Sequence, residues 1–235
     1  MLRCSDKHKS SGGRAFTLIE LLVLICIIGL LFGILVSVLQ KAKEQARRNI
    51  CAGNLRQVGL SLNMYADDNN SRLPMVEDEE IGGWLIDFPV KTSNFMIQEG
   101  CTIDSFYCSS NKGLTVPPLK PEEHWVSHPW RVTGYFWLME FGLDWRQNDP
   151  NDVFLSRLDI RKASSRELVT DLTFSKQNNF TRIWSGSDHF RSNHISGERP
   201  AGGNLLFCDG SVIWRKFEQM YIQHRGKRRN TDHWW

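Results

Sequence analysis

Residues 14–40 read RAFTLIELLVLICIIGLLFGILVSVLQ, and from Phe16 to Leu39 the run holds 24 residues with one charge, Glu20. A bilayer crossing needs about 20 such residues. A secretory signal core needs only about 7–15 and ends in a small-residue cleavage site, and no such site follows Leu39. The run therefore predicts a membrane-spanning helix over 16–39. The sequence does not turn after it. Residues 40–66, QKAKEQARRNICAGNLRQVGLSLNMYA, lack proline, and Cys51, Leu55, Val58, Leu62 and Tyr65 recur at spacings of 4, 3, 4 and 3. That period predicts an amphipathic continuation with one face on a core. Gly53 and Gly59 interrupt it at a cost of about 1 kcal/mol each. The stop is DDNNSRLP at 67–74, where Asp and Asn form turns and Pro74 forbids further helix.

The chain has 235 residues, enough for one water-facing domain plus appendages, and nine Trp with thirteen Phe argue for a packed core. Its mean hydropathy of −0.36 requires a hydrophilic remainder to offset the apolar run. The formal charge is +3. Arg3, Lys7, Lys9 and Arg14 against Asp6 account for all of it, so the rest is neutral and no nucleic-acid partner is expected. The basic leader favours a cytoplasmic N-terminus, which Lys41, Lys43, Arg47 and Arg48 on the far side oppose.

Beyond Pro74 short apolar runs alternate with turns. VTGYFWLMEF (132–141), RELVTDLTF (166–174), TRIWSG (181–186), GNLLFCDG (203–210) and SVIWRKF (211–217) are strand candidates, and Asp209-Gly210 is a hairpin turn. Residues 87–131, with Pro117, Pro118, Pro121 and Pro129, are expected to form loops. The predicted class is α+β, a long N-terminal α-helix packed on a small antiparallel sheet. The organisation is a leader over 1–15, a transmembrane helix over 16–39, its amphipathic continuation over 40–70, a globular domain over 71–217, and a basic, solvated, partly disordered tail over 218–235.

The segment RAFTLIELLVLICIIGLL resembles the signal of type IV prepilins and type II secretion pseudopilins. The resemblance implies cleavage between Ala15 and Phe16 by a prepilin peptidase, N-methylation of Phe16, and Glu20 as the fifth mature residue and an assembly determinant. Ala15 stands where that family usually has glycine. Other stretches resemble a group of pseudopilin-like proteins with a closing His-x(n)-Asp-Gly motif. They are CAGNLRQVGLSLNMYADDNNSRLP (51–74), FYCSS (106–110), IRKASSRELVTDL (160–172) and NHISGERPAGGNLLFCDGSV (193–212). Here fourteen residues separate His194 from Asp209, five more than in that pattern. Ser109 and Ala163 replace its prolines. Residues 75–100 and 111–150 match no part of it.

Six cysteines are present: Cys4, Cys26, Cys51, Cys101, Cys108 and Cys208. With the domain in an oxidising compartment, Cys101 and Cys108 close a short loop and form the candidate disulfide, against free buried thiols. No Cys-x-x-Cys occurs. His189, His194, Asp171 and Asp209 are the residues that a metal or water-polarising site would draw on, and Cys208 with His194 would make a thiol–imidazole pair. The plain reading makes His194 a loop histidine, Asp171 a strand end and Asp209 a turn, because no spacing matches a ligand or nucleophile motif. No catalysis, cofactor or metal is therefore expected, with His194 and Asp209 the weak metal candidates. Calcium, which some secretion pseudopilins hold in a C-terminal loop, has only Glu198, Asp209 and neutral oxygens within 193–210.

Two functions follow. One is a structural subunit that polymerises through its N-terminal helix, with other pseudopilin subunits and an inner-membrane assembly platform as partners. It would be single-pass, with a cytoplasmic N-terminus and a periplasmic or extracellular domain. The other is a membrane-anchored binding or metal-dependent catalytic module that shares only the leader.

Overall fold

The computed structural model describes residues 17–74, 85–111, 125, 130–140, 154–158, 163–181, 183, 191–226 and 231–235. The cleavage junction at Ala15–Phe16, His189 and most of the 181–186 strand candidate lie outside them. Thr181 and Ile183, its described members, are in no strand.

One helix dominates. α1 spans Leu18–Asp68, 51 residues, uniting the predicted membrane segment and its amphipathic continuation. Two compact units divide the chain, Met1–Lys43 and Glu44–Trp235. In the first, every described residue is exposed, including the large apolar side chains from Leu18 to Leu39. Its helix is long and apolar enough to cross a membrane.

The second unit holds the core. On α1 the buried residues are Cys51, Leu55, Val58 and Leu62 of the predicted stripe, together with Gly59, Ser61 and Ala66. Tyr65 is half-buried, edge-on to Phe95 at 5.4 Å. Past Asp68, Asn70 and Ser71 take positive φ and Leu73 N–H bonds Ser156 O, so the 67–74 stop acts as read. Then come β1 (Asp87–Phe88), α2 (Val90–Gln98), β2 (Arg131–Val132), β3 (Tyr135–Trp137), β4 (Glu167–Asp171) and β5 (Phe174–Ser175). The C-terminal third adds β6 (Ile195–Ser196), β7 (Arg199–Pro200), β8 (Gly202–Phe207), β9 (Val212–Lys216), β10 (Ile222–Gly226) and β11 (Thr231–Trp234). β3, β4, β8 and β9 form a four-stranded antiparallel sheet in the order β3-β4-β8-β9. Gly210, at φ +81, turns β8 into β9, as the Asp209-Gly210 signal predicts.

Register decides which residues meet the helix. Trp137, Val169 and Leu206 lie opposite one another across three strands, and Phe136, Thr170 and Leu205 form the neighbouring row. Successive residues point to opposite faces, so the two rows line opposite sides. Leu206 faces α1: a Cβ added at Gly59 would lie 2.8 Å from its Cδ1. Gly59, an interruption on propensity alone, is a point of close approach between helix and sheet. The other side is closed by the C-terminal strands, where Phe136 meets Phe174, His233 and Trp235 at 5.9, 4.9 and 6.2 Å between ring centres. β8 is thereby covered on both faces and buried throughout.

Two expectations need correction. The loop expected over 87–131 contains α2, which starts after Pro89 and ends in a Schellman motif. There Gly100 sits at φ +98, with Gly100 N–H on Ile97 O and Cys101 N–H on Met96 O. The end expected as a solvated tail pairs as β10-β11-β5 and buries Thr231, His233 and Trp235. Its charges flank aromatic residues that have a core to enter.

Leu62 has no exposed surface. In the full chain in detergent, Leu62→Ala should lower the unfolding free energy by about 2–5 kcal/mol. A melting temperature equal to the parent's would show that this stripe does not carry the interface.

Candidate functional site

Among the described residues, two places carry unusual chemistry. The first is the head of α1. Thr17 and Glu20 form a reciprocal cap: Thr17 N–H and Oγ1–H donate to Glu20 Oε2 at 2.8 and 2.9 Å, and Glu20 N–H donates to Thr17 Oγ1 at 3.3 Å. This is the Thr-x-x-Glu capping box, which satisfies backbone donors that a helix start otherwise leaves open. The acid also sits at the positive end of the helix dipole.

The second is a buried cluster on the helix-facing side of the sheet. Asp171 ends β4 in register with Tyr135, two residues from Val169 and on the same face. Asn204 follows Gly203, whose added Cβ would lie 3.0 Å from that of Asp171. The Asn204 backbone and side-chain amides donate to Asp171 Oδ2 at 2.7 and 2.9 Å, and Asn193 Nδ2 donates to Oδ1 at 3.0 Å. Cys51 reaches in from α1, one turn before Leu55. Cys108 follows a short 3-10 turn (Ile103–Phe106), and this loop is fixed at two points. Asn54 Nδ2 donates to Asp104 O and Tyr107 O, both at 3.2 Å. Gly134 lies so close that an added Cβ would come within 3.1 Å of Cys108 N.

His194 completes the group. Its φ of +50 is uncommon for a side chain larger than glycine. The position is held because its N–H donates to Ser110 Oγ at 2.7 Å and its carbonyl accepts from Ala201 N–H at 2.9 Å. Its Nε2 lies 3.2 Å from both Cys108 Sγ and Asp171 Oδ2, and its Nδ1 lies 2.7 Å from Glu44 Oε1. The ring stands edge-on to Trp214 at 5.0 Å, and the Arg48 guanidinium covers that indole at 4.1 Å. One donor atom each from Cys51, Cys108, Asp171 and His194 lies within 4.8 Å of every other, and all four residues are buried.

The electrostatics are strongly coupled. Burial pulls the His194 pKa down, but the Asp171 carboxylate, by charge and hydrogen bond, outweighs it, and with Cys51 and Glu44 raises it to about 11. Burial works against the Asp171 carboxylate too, yet His194, Asn204 and Asn193 hold it below its ordinary value. The Cys51 thiol is lowered to about 6, chiefly by the Cys108 hydrogen bond, with His194 and Ser109 assisting against burial. Ser109 N–H donates to Cys51 Sγ at 3.1 Å. Burial pushes the Cys108 thiol well up. The cluster can therefore hold charge in the interior, and its donors suit a cation that binds sulfur, imidazole and carboxylate together.

Sequence reasoning had named some of these residues and misassigned others. Asp171 and His194 do converge, but Asp209 does not join them: it is exposed at the hairpin turn and accepts Ser211 N–H at 2.9 Å. Nor does Cys208, whose thiol is pushed up to about 11 by burial, belong to the group. His194 does stand in the loop before β6, as read, but its side chain is buried. The expected Cys101–Cys108 disulfide is absent: both thiols are free. Cys101 Sγ lies 3.2 Å from Ser61 Oγ on α1, whereas Cys108 turns to His194 and Ser110. Cys51 and Glu44 were read only as helix residues, and the 3.6-residue stripe through Cys51 was the one signal that it faces inward.

Comparison with known proteins gives one partial match. Residues 40–87 are similar to a family described as a protein of unknown function, DUF1559 (SBP_bac_10). The matched segment includes Glu44, Cys51 and the buried stripe of α1. No curated protein and no solved structure matches the chain. The match and the long apolar helix fit a pilin-like, membrane-anchored protein.

Removing one partner of a buried charge pair strands the other. Asp171→Ala should therefore cost about 3–5 kcal/mol in denaturant unfolding, whereas Asp209→Ala at the surface should cost under about 1 kcal/mol. Equal effects would refute the burial-based ranking.

Proposed function

We propose that the chain is a pilin-like structural subunit that assembles through α1 into a type II secretion-like or type IV pilus-like fibre. The observation that carries this reading is the division of labour along one 51-residue helix. Its first half offers bare apolar surface on every side and its second half is built into a domain core. A simple anchor requires no such continuity. The FTLIE opening, the basic leader and the pilin-like fit of residues 40–87 support the same reading. In it, a prepilin peptidase cuts between Ala15 and Phe16, Phe16 is N-methylated, and the domain lies outside the cytoplasmic membrane. An assembly platform in that membrane and further pseudopilin subunits are the partners. The buried cluster is enclosed by protein, which favours a structural over a catalytic role for it.

Maturation is read by mass spectrometry of the chain from its native membrane. An N-methyl-phenylalanine terminus at Phe16 is expected. An intact Met1 would exclude processing.

Glu20 has two separable jobs in this reading. The capping box needs an acceptor at Thr17 N–H, which Gln also supplies. Pairing with the cleaved Phe16 amine of a neighbouring subunit needs the charge, and a lone carboxylate in a membrane helix otherwise costs about 2–3 kcal/mol. Glu20→Gln should therefore insert and be cleaved normally but lose its oligomer ladder on cross-linking in membranes. A normal ladder from Glu20→Gln would reduce Glu20 to a helix cap.

A further inference from the structure

The buried cluster has a composition that packing alone does not explain. Two thiols, an imidazole and a carboxylate meet in the interior, and apolar residues of similar volume would spare the desolvation of the charged groups. A Cys51–Cys108 disulfide would use the sulfurs but give no reason for His194 Nε2 and Asp171 Oδ2 to converge on the same point. Hydrogen bonding outside the cluster is arranged to aim those atoms inward. His194 turns Nδ1 outward to Glu44, the pattern by which a metal-bound histidine is oriented by a carboxylate. Asp171 is aligned by Asn193 and Asn204, and Cys51 by the Ser109 amide.

We propose that Cys51 Sγ, Cys108 Sγ, Asp171 Oδ2 and His194 Nε2 form a closed tetrahedral zinc site, oriented by Glu44, that clasps α1 to the sheet. Edges of a tetrahedron with metal–sulfur distances of about 2.3 Å and metal–nitrogen or metal–oxygen distances of about 2.0 Å run from about 3.3 to 3.8 Å. The 3.2 Å separations at His194 and the 4.8 Å envelope bracket that range, so small side-chain movements suffice. Thiolate and imidazole donors select zinc over calcium, which takes hard oxygen ligands. Four protein ligands leave no open position for substrate, so the ion is structural. Binding releases to solvent the protons that the Cys108 thiol and His194 Nε2 otherwise hold, and leaves the Nδ1 proton on the bond to Glu44. The four ligands come from α1, the loop after the 3-10 turn, the end of β4 and the segment before β6. One ion thereby ties together parts of the chain up to 143 positions apart.

The test is metal analysis of the detergent-solubilised full chain, purified without chelator, with zinc affinity measured by competition. The expected result is one zinc per chain in the parent and in Asp209→Ala, and loss of it in Cys51→Ser/Cys108→Ser. Cobalt in place of zinc should give thiolate charge-transfer bands that the double variant lacks. Because the double variant removes core side chains, Glu44→Ala provides a second arm outside the ligand set. It should stay folded by circular dichroism and bind zinc about 10–100-fold more weakly. Absence of zinc binding by the folded parent, unchanged affinity in Glu44→Ala, or a Cys51–Cys108 disulfide in alkylated protein taken directly from membranes would each overturn the proposal.

Discussion

The seating of α1 on the four-stranded sheet, at the place where Gly59 lies under Leu206, is the contact on which the other features depend. A Cβ at 59 would lie 2.8 Å from Leu206 Cδ1, so the Leu206 side chain would have to shift from its place over the stripe of Cys51, Leu55, Val58 and Leu62. The propensity cost of a glycine in a helix is about 1 kcal/mol, small beside the about 1.5–3 kcal/mol gained for each large apolar side chain fully buried. Packing wins at that position, and the sheet accommodates by turning the Trp137, Val169 and Leu206 row towards the helix.

That row also fixes the cluster. Asp171 and Asn204 are each two residues from a member of the row, so the pleat directs them to the same side, under the end of the buried stripe. Placing a carboxylate there is costly unless it is bonded on all sides. Asp171 is: three amide donors and His194 surround it. The positive φ of His194 belongs to the same account, since it goes with an N–H on Ser110 Oγ and a ring between Glu44 and Asp171.

Periodicity made the helix, its stop, its buried face and the β8–β9 hairpin legible, because each rests on local spacing or a single turn residue. The cluster was legible only in fragments. Asp171 and His194 were singled out, but their partners lie on α1 and after the 3-10 turn. No spacing rule joins residues brought together by tertiary packing. Cys101 and Cys108 looked like a pair because they are seven positions apart, yet Ser61 and His194 draw their side chains to different neighbours. The α2 helix was overlooked for another reason. Its bounds are set by Pro89 and by Gly100 in the left-handed region, whereas the loop expectation for 87–131 rested on the prolines from 117 to 129. The C-terminal end shows the opposite error: its basic residues were weighed and its buried Thr231, His233 and Trp235 were not.

The position of the cluster along α1 has a mechanical consequence. Cys51 is the buried residue nearest the membrane-type half of the helix, and a helix leaving a core frays in its first unsupported turns. Glu44, seven residues earlier, lies about two turns further out. Its bond to the buried His194 carries tertiary contact past the last apolar residue, close to where the domain unit begins. Arg48, stacked on Trp214 and 3.5 Å from Glu44, covers the turn between them. The polar cluster thus lies where the apolar packing of α1 runs out.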